Sequence, residues 1–257
     1  SATAPTWPQV GADISGEAAN DWSGDAVSLS ADGLRMAIGA RVNSGGGANA
    51  GHVRVYSWSG TAWVQLGVDL NGEAASDQSG FAVSLSGNGS RVAIGARFND
   101  GGGNDSGHVR IYEWRTDAWV QLGVDLNGER AGDLSGFAVS LSEDGSRVAI
   151  GAPENDDGGV SSGHVRIYEW SNGSWVPLGV DIPGETQGDG SGYSVSLSAN
   201  GSRVAIGAIS NFGSGSNSGH VRVYEWSNGA WDRLGGDING ETQGDGSGYS
   251  VSLSANG

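Results

Sequence analysis

The chain contains neither cysteine nor lysine, and each absence narrows what it can do. Without cysteine there is no disulfide framework, no thiolate nucleophile and no cysteine-ligated metal site. All 13 basic residues are arginine and they face 29 acidic ones, giving a formal charge of −16. That balance excludes recognition of nucleic acid or of an anionic membrane through a basic patch, and leaves cations and basic partners open. An acidic, lysine-free surface suits a protein working in high or marine salt, where screening weakens self-repulsion. Repeated copying of one lysine-free unit accounts for the skew equally well. No apolar run approaches the roughly 18 residues of a membrane-spanning helix, and no charged-then-apolar leader stands at Ser1. Proline is scarce at five residues and charged residues make up only 16%, whereas glycine reaches 48. Glycine in that context serves short turns between strands rather than a disordered linker, which predicts an all-β chain.

A single unit fills the sequence. GHVR begins at Gly51, Gly107, Gly163 and Gly219, always 56 residues apart and without insertion or deletion. An aspartate recurs in the same register at Asp13, Asp69, Asp125, Asp181 and Asp237, and the D-x-S-G element at Asp21, Asp77, Asp133, Asp189 and Asp245. Each unit holds four segments of alternating apolar character bounded by turn residues. In one copy these are FAVSLS from Phe81, RVAIGA from Arg91, HVRIYEW from His108 and AWVQLGVDL from Ala118. Tripeptides such as GNG, EDG and ANG join the first two and SNG joins the last two in the later copies, as tight hairpins require. Four antiparallel strands with two apolar faces make the blade of a β-propeller, since a lone unit could not bury both faces. About 4.6 repeats are present: a partial blade over 1–33 and full repeats over 34–89, 90–145, 146–201 and 202–257, one propeller-type domain in all. With FAVSLS innermost, the spare strands are the first and last of a fifth blade. The expectation is therefore either a segment of a longer array or neighbouring chains that complete the sheet.

The segments SGFAVSLS, GSRVAIGAPEND and SGHVRIYEW of the third unit resemble the FG-GAP repeat, the blade of integrin-α-type propellers. Gly136 matches the glycine of the FG element, with Ser135 where that family has phenylalanine. The GAP element is complete only at Gly151, Ala152 and Pro153; elsewhere it reads Gly39-Ala40-Arg41, Gly95-Ala96-Arg97 and Gly207-Ala208-Ile209. The resemblance implies an extracellular or cell-surface protein used for adhesion or recognition. The calcium loop that such blades carry between their first two strands has shrunk to SEDGSR and equivalents, so that site is not carried over.

A different loop poses the calcium question. Asp69, Asn71, Glu73 and Asp77 fall at relative positions 1, 3, 5 and 9, and the spacing recurs as Asp125, Asn127, Glu129, Asp133 and as Asp237, Asn239, Glu241, Asp245. Several hard oxygen donors on a glycine-containing loop suit calcium, which is the one candidate cofactor. The same side chains also suit turn capping between blades. His52, His108, His164 and His220 lie a full repeat apart, so the expectation is a structural role with a hydrogen bond to an adjoining loop. The arginine rows at 35, 91, 147, 203 and 54, 110, 166, 222 read as ion-pair partners between blades. Trp114 and Trp119, with their equivalents, flank a hairpin and read as packing, whereas Trp22 has no counterpart in the other copies.

No nucleophile elbow, phosphate-cradling loop or catalytic metal spacing stands in the sequence. The glycine-rich loops at Ser44 and Asp100 vary most between copies and are where a specificity would sit. These readings together predict a non-catalytic, extracellular or cell-surface binding or adhesion module, with a protein or glycan ligand or copies of itself as partner. The alternatives are a self-assembling filament or sheath and a propeller enzyme with a loop-borne site.

Overall fold

The turn tripeptides and the apolar alternation place the strands. The computed structural model describes residues 8–257, and among them there are strands, turns and bends but no helix, hence none long and apolar enough to cross a membrane. Four antiparallel sheets follow one another along the chain, over residues 23–71, 82–127, 138–183 and 191–239. In the second, Ala82–Leu85, Arg91–Ala96, His108–Arg115 and Ala118–Gln121 lie side by side in chain order. Repetition of this up-and-down blade is the β-propeller architecture. The first strands of successive blades pack on one another in series. Ser28, Ser84, Ser140 and Ser196 link them, each hydroxyl accepting the N–H of a leucine one blade on, at 2.9 to 3.0 Å.

One strand differs from its expected extent. AWVQLGVDL reads as continuous, but it breaks at Gly123, whose φ is +84°. The chain turns there, and Leu126–Asn127 pairs with the start of the third strand, Asn127 opposite His108. A Cβ on Gly123 would lie 3.0 Å from both Trp170 and Trp175, so the tryptophan pair of the following blade fills the space where any other side chain would go. Those tryptophans face each other across their own hairpin at 5.3 Å, and Trp175 Nε1 donates back to Leu122 O at 2.8 Å.

Blade packs on blade through interleaved apolar faces. Ala37, Val53 and Val55 of the first meet Val92, Ile94 and Tyr112 of the second. Burying each such aliphatic side chain contributes roughly 1.5–3 kcal/mol. The backbones come equally close. A Cβ on Gly151 would lie 2.0 Å from Gly192 O, which explains why RVAIGA has glycine before its final alanine in every copy. Of the two arginine rows, that at 54, 110, 166 and 222 pairs with glutamates on the segments connecting blades, Arg110 with Glu73 at 3.5 Å, whereas the other differs from the expected inter-blade ion pairs. Arg91 pairs with Glu113 of its own blade and donates through Nη1 to Gly145 O of the next, at 2.9 Å, so it is the hydrogen bond to a carbonyl that crosses the junction. The first blade's leading face is uncovered: Val27 and Leu29 are 61% and 58% exposed, against 7% for the equivalent Leu85.

Candidate functional site

The aspartates and glutamates singled out by spacing do not surround a common point. Asp77 is buried, and its carboxylate accepts the Ala74 N–H and the Asn99 side-chain amide, both at 3.0 Å. Asp133 accepts the Glu129 and Arg130 N–H groups, and Asp245 accepts the N–H and hydroxyl of Thr242, which hold its carboxyl below the usual range. These are turn caps. Asn71 and Asn127 contribute backbone oxygens, which accept from Arg110 and Arg166 at 2.7 Å, and the side chain of Asn239 faces Gly213.

Asp69 and Glu73 separate between two neighbouring groups. Glu17, His52 and Asp69 converge, as do Glu73, His108 and Asp125, then Glu129, His164 and Asp181, and last Glu185, His220 and Asp237. In each, the glutamate comes from the segment entering a blade, the histidine begins that blade's third strand, and the aspartate precedes the short strand opposite it. Glu241 lies in none of the four. His108 is 1% exposed, and its Nδ1 lies 3.8 Å from Glu73 and 4.0 Å from Asp125. The expected hydrogen bond to a loop is not made: both ring nitrogens of His108, His164 and His220 lack a partner, as does His52 Nδ1. Burial, followed by the nearby Arg110, pushes the His108 imidazole down to about 4, and burial with Arg166 does the same at His164. Burial also lowers His52 and His220. The rings are therefore neutral at pH 7, with a lone pair free, and these contacts are not ion pairs. Among the described residues, these groups bring three histidine and carboxylate donor atoms within 4.8 Å of one another and could hold a metal ion.

A second constellation lies at the mouth of the groove that the first strands line, where single positions change from copy to copy. One repeat position at the start of each first strand carries Asp25, Phe81, Phe137, Tyr193 and Tyr249 in turn; Asp25 and Tyr193 lie within Ser23–Leu29 and Ser191–Leu197, and Phe81 and Phe137 just before Ala82–Leu85 and Ala138–Leu141. The four aromatic rings stand in a row, with centroids 4.9, 4.7 and 5.2 Å apart. They border a groove of about 500 Å³ that also reaches Asp25, Val27, Val83 and Val139. Beside the row, Arg97 lies 3.8 Å over the Phe81 ring, and its guanidinium shares Gln78 Oε1 with Arg41, at 3.1 Å and 3.4 Å. Arg41 in turn binds Asp25 and covers Trp22 at 4.3 Å. Burial, with Arg41 adjacent, lowers the pKa of Arg97. Among the described residues, only Arg35 and Arg97 of the thirteen arginines have no carboxylate within 4.0 Å. An uncompensated, half-buried guanidinium over an aromatic face can take an anionic, oxygen-rich ligand. The sequence signals for this site were the unmatched Trp22 and the arginines that replace the proline of the GAP element.

No family model matches the chain, and no curated protein does. Solved structures do. A protein assigned as a 6-phosphogluconolactonase from Bacteroides uniformis matches with a TM-score of 0.56 at 13% identity, over 84% of this chain and 56% of its own. The periplasmic gluconolactonase of Pseudomonas aeruginosa matches at 0.51 and 16%, over 83% and 56%. Hydrazine synthase of Kuenenia stuttgartiensis matches at 0.51 and 10%, over 91% and 53%. The chain spans little more than half the length of each, and at these identities the likeness is one of fold. It corrects one expectation. An array without a catalytic motif was read as a non-catalytic adhesion module, yet two of these similar propellers are named as lactonases. A propeller can assemble a site from single residues on separate blades, so the lack of a contiguous motif does not make the chain non-catalytic.

Proposed function

We propose that the protein is a propeller enzyme whose site is the groove mouth at Asp25, Arg41, Gln78 and Arg97, and that it hydrolyses a small anionic carbohydrate derivative of the sugar-acid lactone class. The observation that carries this reading is Arg97, which stands without a carboxylate partner over Phe81 in a chain of net charge −16. In this reading Arg97 and Arg41 hold the substrate's anionic group, the row from Phe81 to Tyr249 takes the sugar face, and Asp25 orients the attacking water as general base. The lactonase names among the similar structures support the reaction class.

Location outside the cytoplasm is supported by the periplasmic protein among those similar structures and by a lysine-free acidic surface suited to salt. Descent of the blades from an FG-GAP-type repeat is supported by the RVAIGAPEND and GHVRIYEW segments.

Hydrolysis of a panel of aldonolactones and phosphorylated aldonolactones, followed by acid release at constant pH, tests the activity. Turnover above the spontaneous rate is expected, with Asp25→Asn lowering kcat at least about 100-fold. Spontaneous rates across the whole panel, together with no measurable binding of the corresponding sugar acids, would refute the reading.

A further inference from the structure

Four copies of one side-chain cluster stand at equivalent places, and three of them differ from the fourth in a way that exposes their purpose. In the first two, a glutamine fixes the aspartate. Gln65 Nε2 donates to Asp69 Oδ1 and Gln121 Nε2 to Asp125 Oδ1, both at 2.7 Å, which leaves the Oδ2 atoms facing His52 and His108 at 3.8 and 4.0 Å. In the third, Pro177 occupies the glutamine position and Asp181 faces His164 at 3.9 Å. In the fourth the same position is Arg233, whose guanidinium enters the cluster: Nη2 lies 2.6 Å from Asp237 and Nη1 lies 3.3 Å from Glu185. One unit thus supplies its own cation to bridge the two carboxylates. In the other three the glutamate lies 3.5 to 3.8 Å from Arg54, Arg110 or Arg166 through one oxygen, and among the described residues no arginine reaches the aspartate, which faces a buried imidazole with no hydrogen-bond partner on its Nδ1.

We propose that Glu17–His52–Asp69, Glu73–His108–Asp125 and Glu129–His164–Asp181 each bind one divalent transition-metal ion of the zinc type, and that Arg233 replaces the ion in the fourth cluster. Two carboxylates and an imidazole offer a divalent ion three donors of mixed oxygen and nitrogen type, and the glutamate's other oxygen faces Arg54, Arg110 or Arg166. An imidazole donor selects zinc-like ions over calcium, which takes oxygen ligands. Tetrahedral zinc sets its donors about 3.4 Å apart. The imidazole Nδ1 lies 3.7 to 4.0 Å from both carboxylates in the first two clusters and 3.9 Å from Asp181 in the third, and the three donors of each lie within 4.8 Å of one another, so an ion draws them in by about an ångström. Glu73 is 45% exposed at its side chain, so the ion has a path from solvent and water can complete its shell. Because the glutamate arrives on the segment entering a blade and the other two ligands belong to that blade, the ion fastens the connection at the junction. This role is separate from the reaction proposed at the groove mouth.

The test is metal content after equilibrium dialysis of the intact chain against zinc or calcium, read by elemental mass spectrometry beside a thermal melt. Three zinc equivalents per chain are expected, and calcium is expected to compete only weakly. Zinc is expected to raise the melting midpoint by about 5 °C, and a chelator to reverse the rise. His108→Ala should lower the count to two, as should Asp125→Asn, which keeps the volume at the site should the first variant fold poorly. Arg233→Gln restores the glutamine of the first two units and should raise the count to four. Fewer than one equivalent of zinc, saturation by calcium in preference to zinc, or a count that neither Asp125→Asn nor Arg233→Gln changes would overturn the proposal.

Discussion

Gly151 and Gly173 belong to the same blade, yet they should respond differently to an added methyl group. At Gly173 φ is +86° and nothing lies within 4 Å of a built Cβ, so Gly173→Ala carries only the left-handed backbone cost, about 1 kcal/mol. At Gly151 the Cβ would meet the Gly192 carbonyl oxygen of the neighbouring blade at 2.0 Å. Gly151→Ala should therefore cost about 3 kcal/mol or more in denaturant unfolding, because two backbones must separate. At the groove mouth, Arg97→Gln should raise KM for an anionic lactone at least about 10-fold and leave KM for an uncharged ester little changed, which a steady-state comparison of the two substrates reads directly. Glu113 supplies a pH test. Burial raises its carboxyl pKa, but hydrogen bonds from Arg91 and Arg115 outweigh that and hold it below its ordinary value. A carboxyl depressed in the folded state contributes stability above its unfolded pKa, and that contribution is lost as pH falls through the folded one. Glu113→Gln should thus be less stable than the parent at neutral pH, with the gap closing below about pH 4. An unchanged gap across chemical unfolding curves at pH 3 and pH 7 would contradict the assignment. The residues at the mouth were only partly legible. Trp22 stood out as a departure from the repeat and Arg41 and Arg97 as departures from the GAP element; Asp25 stands in the repeat register of Phe81 and Tyr249, but its contact with Arg41 emerges only from the fold.

The strand is the scale at which sequence and structure agree best, because alternation and tight turns act over a few residues. RVAIGA runs from Arg91 to Ala96 as read, and the tripeptides EDG and SNG fall in turns. The fourth strand was misjudged for a reason outside its own sequence. Gly123 looks harmless in a run of apolar residues, and what forces the break is a tryptophan pair some fifty residues later. Separation along the chain likewise hid the candidate metal groups, since Glu73 and His108 lie 35 residues apart and meet only because the segment entering a blade passes the start of that blade's own third strand. The tryptophan at that junction gives a clean measurement. Trp119 Nε1 donates to Leu66 O of the preceding blade at 2.8 Å. Trp119→Phe keeps an aromatic ring in the hairpin and removes the donor, leaving a partly buried carbonyl unpaired. A loss of about 1–3 kcal/mol is expected, with a raised unfolding rate.

Across the molecule, charge and repetition set the behaviour. With −16 at neutral pH and most arginines already paired, the remaining carboxylates repel one another over the surface, and salt screens that repulsion. The melting midpoint should therefore rise between about 0.01 M and 1 M sodium chloride. A midpoint that falls instead would mean that the surface ion pairs outweigh the repulsion. Contacts between successive blades are near copies of one another: the serine bond between first strands, the tryptophan bond to a leucine carbonyl, and glycine against glycine. The groove mouth breaks that sameness, and it does so with single side chains on an unchanged backbone frame. Its chemistry is consequently portable. Placing Trp and Asp at the positions of Gln78 and Phe81, with Gln and Arg at those of Leu134 and Pro153 and Arg97 already in place, would shift the whole constellation by one repeat on an unchanged frame. Such a molecule would have its pocket rotated about the axis by the angle between neighbouring blades.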